Sequence, residues 1–143
     1  MTAHEIVKGL WIGGKYAQLD EKFLRKYNIR AIVNCTKDVD MPFKHIQYFN
    51  VDVHDDLKVT SYRDMILKLP HAVNFIHQKL DKEHKNVLVA CWAGMQRSCC
   101  VVTAYLSAHR NMTIKDAVSL ILQRRPVAFH HGKHINFLDS LLY

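Results

Sequence analysis

The chain has 143 residues, 49% of them hydrophobic, and a formal net charge of +7. That is enough apolar material to close one core without disulfides or bound metal, so a single domain over residues 1–143 is expected. The composition argues against a disulfide framework: of the four cysteines, Cys35, Cys91, Cys99 and Cys100, two are adjacent within a predicted helix, and none forms a zinc-type Cys-x-x-Cys pair. The N-terminal stretch MTAHEIVKGLW lacks the apolar run of a signal peptide, and no segment has the length a membrane span needs. A soluble, intracellular protein, cytoplasmic or nuclear, is the expectation. Its positive charge favours anionic partners, whether phosphoproteins, nucleic acid or acidic lipid headgroups, through a field that salt screens.

In chain order, Ile6 to Ile12 reads as an opening strand broken by Gly13-Gly14. Asp20 can cap a helix carrying Phe23, Leu24 and Tyr27 at helical spacing, with Asn28 ending it in a left-handed conformation. Arg30 to Cys35 is a β-branched run and a predicted central strand. Thr36 to Lys44 reads as a loop, and a third strand follows near Ile46 to Val53. Asp52, Asp55 and Asp56 crowd the exit of that strand. Thr60 or Ser61 can then cap a helix, and Pro70 predicts a short helical turn before it and the main helix after it. Met65, Leu67 and Leu69 read as packing residues on that segment. Asn86 to Ala90 predicts a short buried strand, and a packed helix runs from Ser98 to near Asn111. Thr113 with Asp116 caps a further helix bearing Ala117, Leu120 and Ile121. Arg124-Arg125-Pro126 ends it, His130, His131, Lys133 and His134 form a basic loop, and Ile135 to Leu142 can pack as a terminal helix. No repeat or low-complexity linker appears, and the pattern implies an α/β or α+β domain.

The chemistry concentrates between the last strand and its helix, in CWAGMQRS. Cys91 and Arg97 stand at Cys-x-x-x-x-x-Arg spacing in a tight strand-to-helix turn. Such a turn wraps Trp92, Ala93, Gly94, Met95 and Gln96 around a small anion, with Gly94 permitting the bend that brings successive amides inward. A cysteine attacks as thiolate, the form favoured beside positive charge or a helix N-terminus, and both are available to Cys91. Arg97 can offer two hydrogen bonds to a phosphoryl group. The arrangement suits in-line attack on phosphorus and a phosphocysteine intermediate. The leaving oxygen then needs a proton from a carboxylic acid on another loop, which later serves as base toward water. Asp55 is the first candidate, with Asp56 beside it. Ser98 can donate a hydrogen bond to the cysteine sulfur. Trp92 could touch substrate or pack against the rim. Cys35, Cys99 and Cys100 read as core residues, with a disulfide to oxidised Cys91 as a minor alternative. The histidine cluster lacks an acid or cysteine to complete a metal-ligand set, so no metal site is expected.

Together these features resemble the dual-specificity branch of the cysteine-dependent protein tyrosine phosphatases, whose loop reads His-Cys-x-x-Gly-x-x-Arg-Ser/Thr. Cys91, Ala93, Gly94, Arg97 and Ser98 match it. GLWIG over residues 9–13 resembles the family's opening strand, IRAIVNCT over residues 29–36 the next one, and Arg125-Pro126 its Arg-Pro before the last loop. The position of the family's general acid in YFNVDVHD falls on Asp55. The resemblance implies a mixed sheet flanked by helices, no cofactor or metal, and a shallow site open to phosphotyrosine, phosphoserine and phosphothreonine. Two departures stand out. Ala90 takes the place of the usual histidine, whose hydrogen bonds order the loop and help hold the thiolate, and this implies slower turnover at neutral pH. HHGKH departs from the usual Pro-Asn-x-Gly-Phe, and its basic side chains would favour acidic substrates.

A phosphorylated protein is the expected substrate, acted on by a monomer. Two alternatives stay open: an RNA 5′-triphosphatase of the same superfamily, which the basic charge permits, and a phosphate-binding module with little catalysis, which the absent histidine suggests. RNA-directed relatives tend to carry Thr-His-Gly where this loop has Trp-Ala-Gly. Lipid-directed relatives often bear lysines inside the loop, and none lies between Cys91 and Arg97.

Overall fold

The computed structural model describes residues 3–37, 41–54, 58–130, 137 and 141. Five strands form one mixed sheet, β1 (Ala3–Val7), β2 (Leu10–Gly13), β3 (Ile29–Asn34), β4 (Gln47–Asn50) and β5 (Asn86–Ala90), in the spatial order β1-β2-β5-β3-β4. β1 and β2 pair antiparallel, and β2, β5, β3 and β4 run parallel. The most apolar strand, β5, is thereby central, as a strand buried on both faces must be. Val87 and Val89 face the larger core and Leu88 and Ala90 the smaller one.

The single opening strand expected over Ile6 to Ile12 is a hairpin instead. Gly9 adopts φ +84°, a left-handed conformation suited to glycine. The Glu5 carboxylate accepts a hydrogen bond from the Gly9 amide at 2.9 Å, closing the turn. Gly13, expected as a breaker, pairs with Ala90 as the last residue of β2.

A short helix absent from the sequence reading, α1 (Lys15–Leu19), follows directly, then α2 (Glu21–Lys26). The Asp20 carboxylate accepts from the Phe23 amide at 3.2 Å, and Asn28 ends the turn at φ 52° as expected. Phe23, Tyr27 and Trp11 pack edge-on and tilted against one another in the smaller core beneath this pair of helices.

The larger core lies on the other face, under α3 (Val59–Ile76), α4 (Arg97–His109) and α5 (Ile114–Arg124). Pro70 was expected to split α3, yet the helix runs through it unbroken and continues as a π-helical segment, His77–Lys82. Proline removes one backbone hydrogen bond, but Met65, Leu69, Ala72, Val73 and Ile76 line one buried face of this helix. Burying each such side chain contributes roughly 1.5–3 kcal/mol, so the packing outweighs the local break. Leu67, expected to pack, lies 70% exposed. The helix begins at Val59, so its N-cap position falls on Lys58 rather than on Thr60 or Ser61. Thr113 caps α5 as expected, accepting from the Asp116 amide at 3.1 Å, and Asn111 closes α4 at φ 56°.

Asp81, in the π-helical segment, ties this side of the molecule to α4. It accepts hydrogen bonds from Tyr105 at 2.7 Å, from His77 at 2.7 Å and from Arg110 at 3.0 Å. No described helix is long and apolar enough to cross a membrane. Of the basic loop only His130 is described, and of the expected terminal helix only Phe137 and Leu141.

Candidate active site

Cys91 follows β5 at the carboxyl end of the parallel strands, and the loop from Trp92 to Gln96 connects it to α4. Every carbonyl of that loop accepts a hydrogen bond. Trp92 accepts from the Lys15 amide at 3.1 Å, Ala93 from Arg125 Nη2 at 3.1 Å and Gly94 from Arg125 Nε at 2.8 Å. Met95 accepts from the Phe129 amide at 2.7 Å and Gln96 from the Cys100 amide at 2.9 Å. In a trans peptide the N–H lies opposite the C=O, so outward carbonyls turn the loop's amides the other way, into one concave face. The N-terminus of α4 adds to it, because Gln96 gives no side-chain cap to the first turn.

Gly94 makes the loop geometrically possible. Its φ is +69°, and a Cβ there would come 2.6 Å from Arg125 Nη2 and 2.7 Å from the Gly13 carbonyl group. The amide of Cys91 also donates to the Gly13 carbonyl, at 3.3 Å.

Cys91 Sγ lies 3.1 Å from Ser98 Oγ, both groups buried. Arg97 is 6% exposed, and its Nη1 donates to the carbonyls of Cys35 at 2.8 Å and Val53 at 2.9 Å. Those anchors are the exits of β3 and β4. They fix the guanidinium by one end, while Nε, also buried, has no partner among the described residues. A buried cationic donor left open beside a concave face of amides is suited to an anion.

The other cysteines lie in the core. Cys35 and Cys99 are fully buried, and burial, reinforced by the charge of Cys91, pushes both thiols well up, so they stay neutral. Cys100 is likewise in the core, as expected.

Arg125 braces the loop from outside. Besides its bonds to Ala93 and Gly94, its Nη1 lies 2.7 Å from His4 Nδ1 on β1. Burial and then the Arg125 charge hold His4 below the usual imidazole range, so a neutral ring accepts this bond. Neither role was read from the sequence. The Arg-Pro pair flagged Arg125, whereas His4 carried no signal.

Of the sequence candidates, the fold brings together Cys91, Trp92, Ala93, Gly94, Met95, Gln96, Arg97 and Ser98. Trp92 is 54% exposed at the rim, and Gln96 is buried. Asp55 and Asp56 lie outside the described residues, but Val53, shortly before them, is the residue whose carbonyl holds Arg97. Ala90 is fully buried and belongs to the smaller core. No group of three or more potential metal ligands occurs among the described residues.

Residues 10–142 match the family model for the dual specificity phosphatase catalytic domain. The chain belongs to this family. It is 32% identical over 142 residues to dual specificity protein phosphatase Mpk3 of Drosophila melanogaster, an alignment covering 96% of this chain and 33% of that protein. The chain spans 33% to 65% of the length of three of the curated relatives it matches. The dual-specificity phosphatase fold is equally clear in solved structures. The crystal structure of human DUSP28 superposes with a TM-score of 0.85 at 22% identity, covering 99% of this chain and 91% of that one. The human tyrosine phosphatase-like serine/threonine/tyrosine-interacting protein gives 0.82 at 23% identity, covering 98% of this chain and all but a small part, 93%, of the other.

Proposed function

We propose that the chain is a phosphoprotein phosphatase that hydrolyses phosphotyrosine and phosphoserine or phosphothreonine through a phosphocysteine intermediate. The observation that carries this reading is the cradle itself: five consecutive outward carbonyls, with Cys91 at the loop's start and a tethered Arg97 at its end. Membership of the dual-specificity phosphatase family supports it further. The phosphoryl group sits on the inward amides, and the open Nε edge of Arg97 binds its oxygens as charge moves onto them. Cys91 attacks phosphorus in line while Asp55 protonates the leaving oxygen. In the second step water attacks the phosphocysteine, Asp55 takes a proton from it, and Ser98 donates to the departing sulfur. Support for Asp55 is the attachment of the preceding chain, through Val53, to Arg97.

The net charge of +7 favours one second reading, hydrolysis of RNA 5′-triphosphate ends. Wild type, Cys91→Ser, Asp55→Asn and Asp56→Asn assayed on a phenyl phosphate, phosphopeptides and triphosphate-ended RNA separate the readings. Cys91-dependent release from the peptides, reduced most by Asp55→Asn, is the expected result. Release from RNA alone selects the triphosphatase, and no release at all leaves a phosphate-binding module.

A further inference from the structure

Beside the phosphate loop lies a second hollow, of about 350 Å³, lined by Gly14, Lys15, Tyr16, Trp92, Ala93 and Arg125. We propose that it is a substrate subsite receiving the carboxylate side chain of a residue that flanks the phosphorylated one, with Lys15 as its recognition group. The proposal rests on the reading that the Cys91 loop holds a phosphorylated residue, and it adds a sequence preference to it.

The hollow adjoins the loop through Trp92 and Ala93. Trp92 is the residue after Cys91, and its carbonyl accepts the Lys15 amide at 3.1 Å, so the two walls are held as one piece. The base is kept low by small residues: a Cβ on Gly14 would stand 3.1 Å from the Trp92 carbonyl oxygen and 3.5 Å from the Ala93 carbonyl carbon. Two large aromatic rings rise beside it, Trp92 at 54% exposure and Tyr16 at 67%. Exposed aromatics flanking a reactive loop are poised to contact substrate rather than to fill the core.

Charge decides what the hollow takes. Lys15 Nζ stands 3.1 Å from the centroid of the Trp92 ring and 5.0 Å from that of Tyr16. The rings attract the ammonium and hold its stem in place, yet they carry no net charge to neutralise it. Among the described residues Lys15 has no carboxylate partner. Arg125, the other cation here, is committed to Ala93, Gly94 and His4. A flat aromatic guest would have to displace the ammonium from the ring face it occupies. A carboxylate would instead complete it, with a charge-assisted bond at Nζ and its methylenes along the indole.

The test uses a tyrosine phosphopeptide with Glu immediately before or after the phosphotyrosine, each replaced singly by Gln, with wild type, Lys15→Gln and Lys15→Arg. Wild type should prefer Glu to Gln at one of the two positions by about 5-fold in kcat/KM, expressed in KM, as for a partly exposed ion pair. The ratio should fall to about 1 in Lys15→Gln, return in Lys15→Arg and shrink with added salt. The same ratio read as peptide affinity in a Cys91→Ser background does not need turnover, so loss of catalysis would count against the phosphatase reading alone. Equal use of Glu and Gln peptides by wild type, or a preference that survives Lys15→Gln, overturns the subsite.

Discussion

Arg125 Nε donates to the carbonyl of Gly94 at 2.8 Å across 31 residues of chain, and the same approach leaves no room for a side chain at Gly94. One contact thus both orients the phosphate loop and demands its glycine. Gly94→Ala combines a left-handed backbone with contacts of 2.6–2.7 Å to Arg125 and Gly13, and the loop must shift to relieve them. A displacement near 1 Å at a reacting centre costs about 10²-fold in rate. Gly94→Ala should therefore lose about that much kcat/KM on a phenyl phosphate. Arg125→Lys, which cannot span two carbonyls and His4 at once, should lose about 10-fold or more, corresponding to one or two hydrogen bonds. Full activity in Arg125→Lys would show that the brace is dispensable.

His4 gives the brace a pH dependence. Its folded-state pKa is lowered by burial and then by Arg125, so the unfolded chain binds the proton more readily than the folded one. Stability should then rise with pH through the histidine range and fall on acidification below about 6.5, where the unfolded imidazole titrates. His4→Gln keeps an acceptor and removes the titration. Its melting temperature should drop less than that of wild type between pH 7.5 and pH 5.5, and parallel slopes would contradict the assignment.

Ser98 stands 3.1 Å from Cys91 Sγ, and in the proposed mechanism it donates to the departing sulfur. A hydrogen bond to a charged group contributes about 1.5–3 kcal/mol, or roughly 10- to 100-fold in rate. Ser98→Ala should slow turnover by that factor while phosphoenzyme accumulates, seen as a burst of phenol in stopped flow. Slower turnover without a burst would place Ser98 in the first step.

Away from the site, Asp81 is the main polar tie between the π-helical segment and α4. Although burial raises its pKa, hydrogen bonds from Tyr105, His77 and Arg110 hold the carboxyl below its usual range, while burial and Asp81 push the Tyr105 hydroxyl up to about 12. The stability linked to this depressed pKa is present above the unfolded carboxylate range, near 3.9, and is lost as pH falls through the folded value. Asp81→Asn turns an amide toward existing donors and should cost about 1–3 kcal/mol in urea unfolding at pH 7. The difference from wild type should narrow near pH 3, and an equal loss at both pH values would contradict the linkage.

The central strand, the phosphate loop and the capped helix ends were legible because each is encoded locally. Val87 to Ala90 is a continuous apolar run, Gly94 sits where the turn needs it, and Asp20, Asn28, Asn111 and Thr113 are short-range caps. Of what was misread, the hairpin is local, closed by Glu5 and Gly9, and the rest depended on packing against other parts of the chain. The hairpin at Gly9 interrupts what resembles one strand, and Pro70 stays helical because the buried face around it outweighs one missing hydrogen bond. The brace from Arg125 to His4 spans 121 residues and has no local pattern. The same holds for Lys15 over Trp92, which rests on the unexpected helix α1 meeting the loop.

Ala90 separates this chain from the usual family loop, and its side chain lies in a fully packed region rather than in the cradle. The most direct measurement of the account is therefore the intermediate itself. Rapid quench of Ser98→Ala with a phosphorylated substrate, followed by peptide mapping by mass spectrometry, should find phosphate on Cys91 and none in the Cys91→Ser, Ser98→Ala double variant. Turnover with no phosphocysteine, or phosphate that persists when Cys91 is replaced, would contradict it.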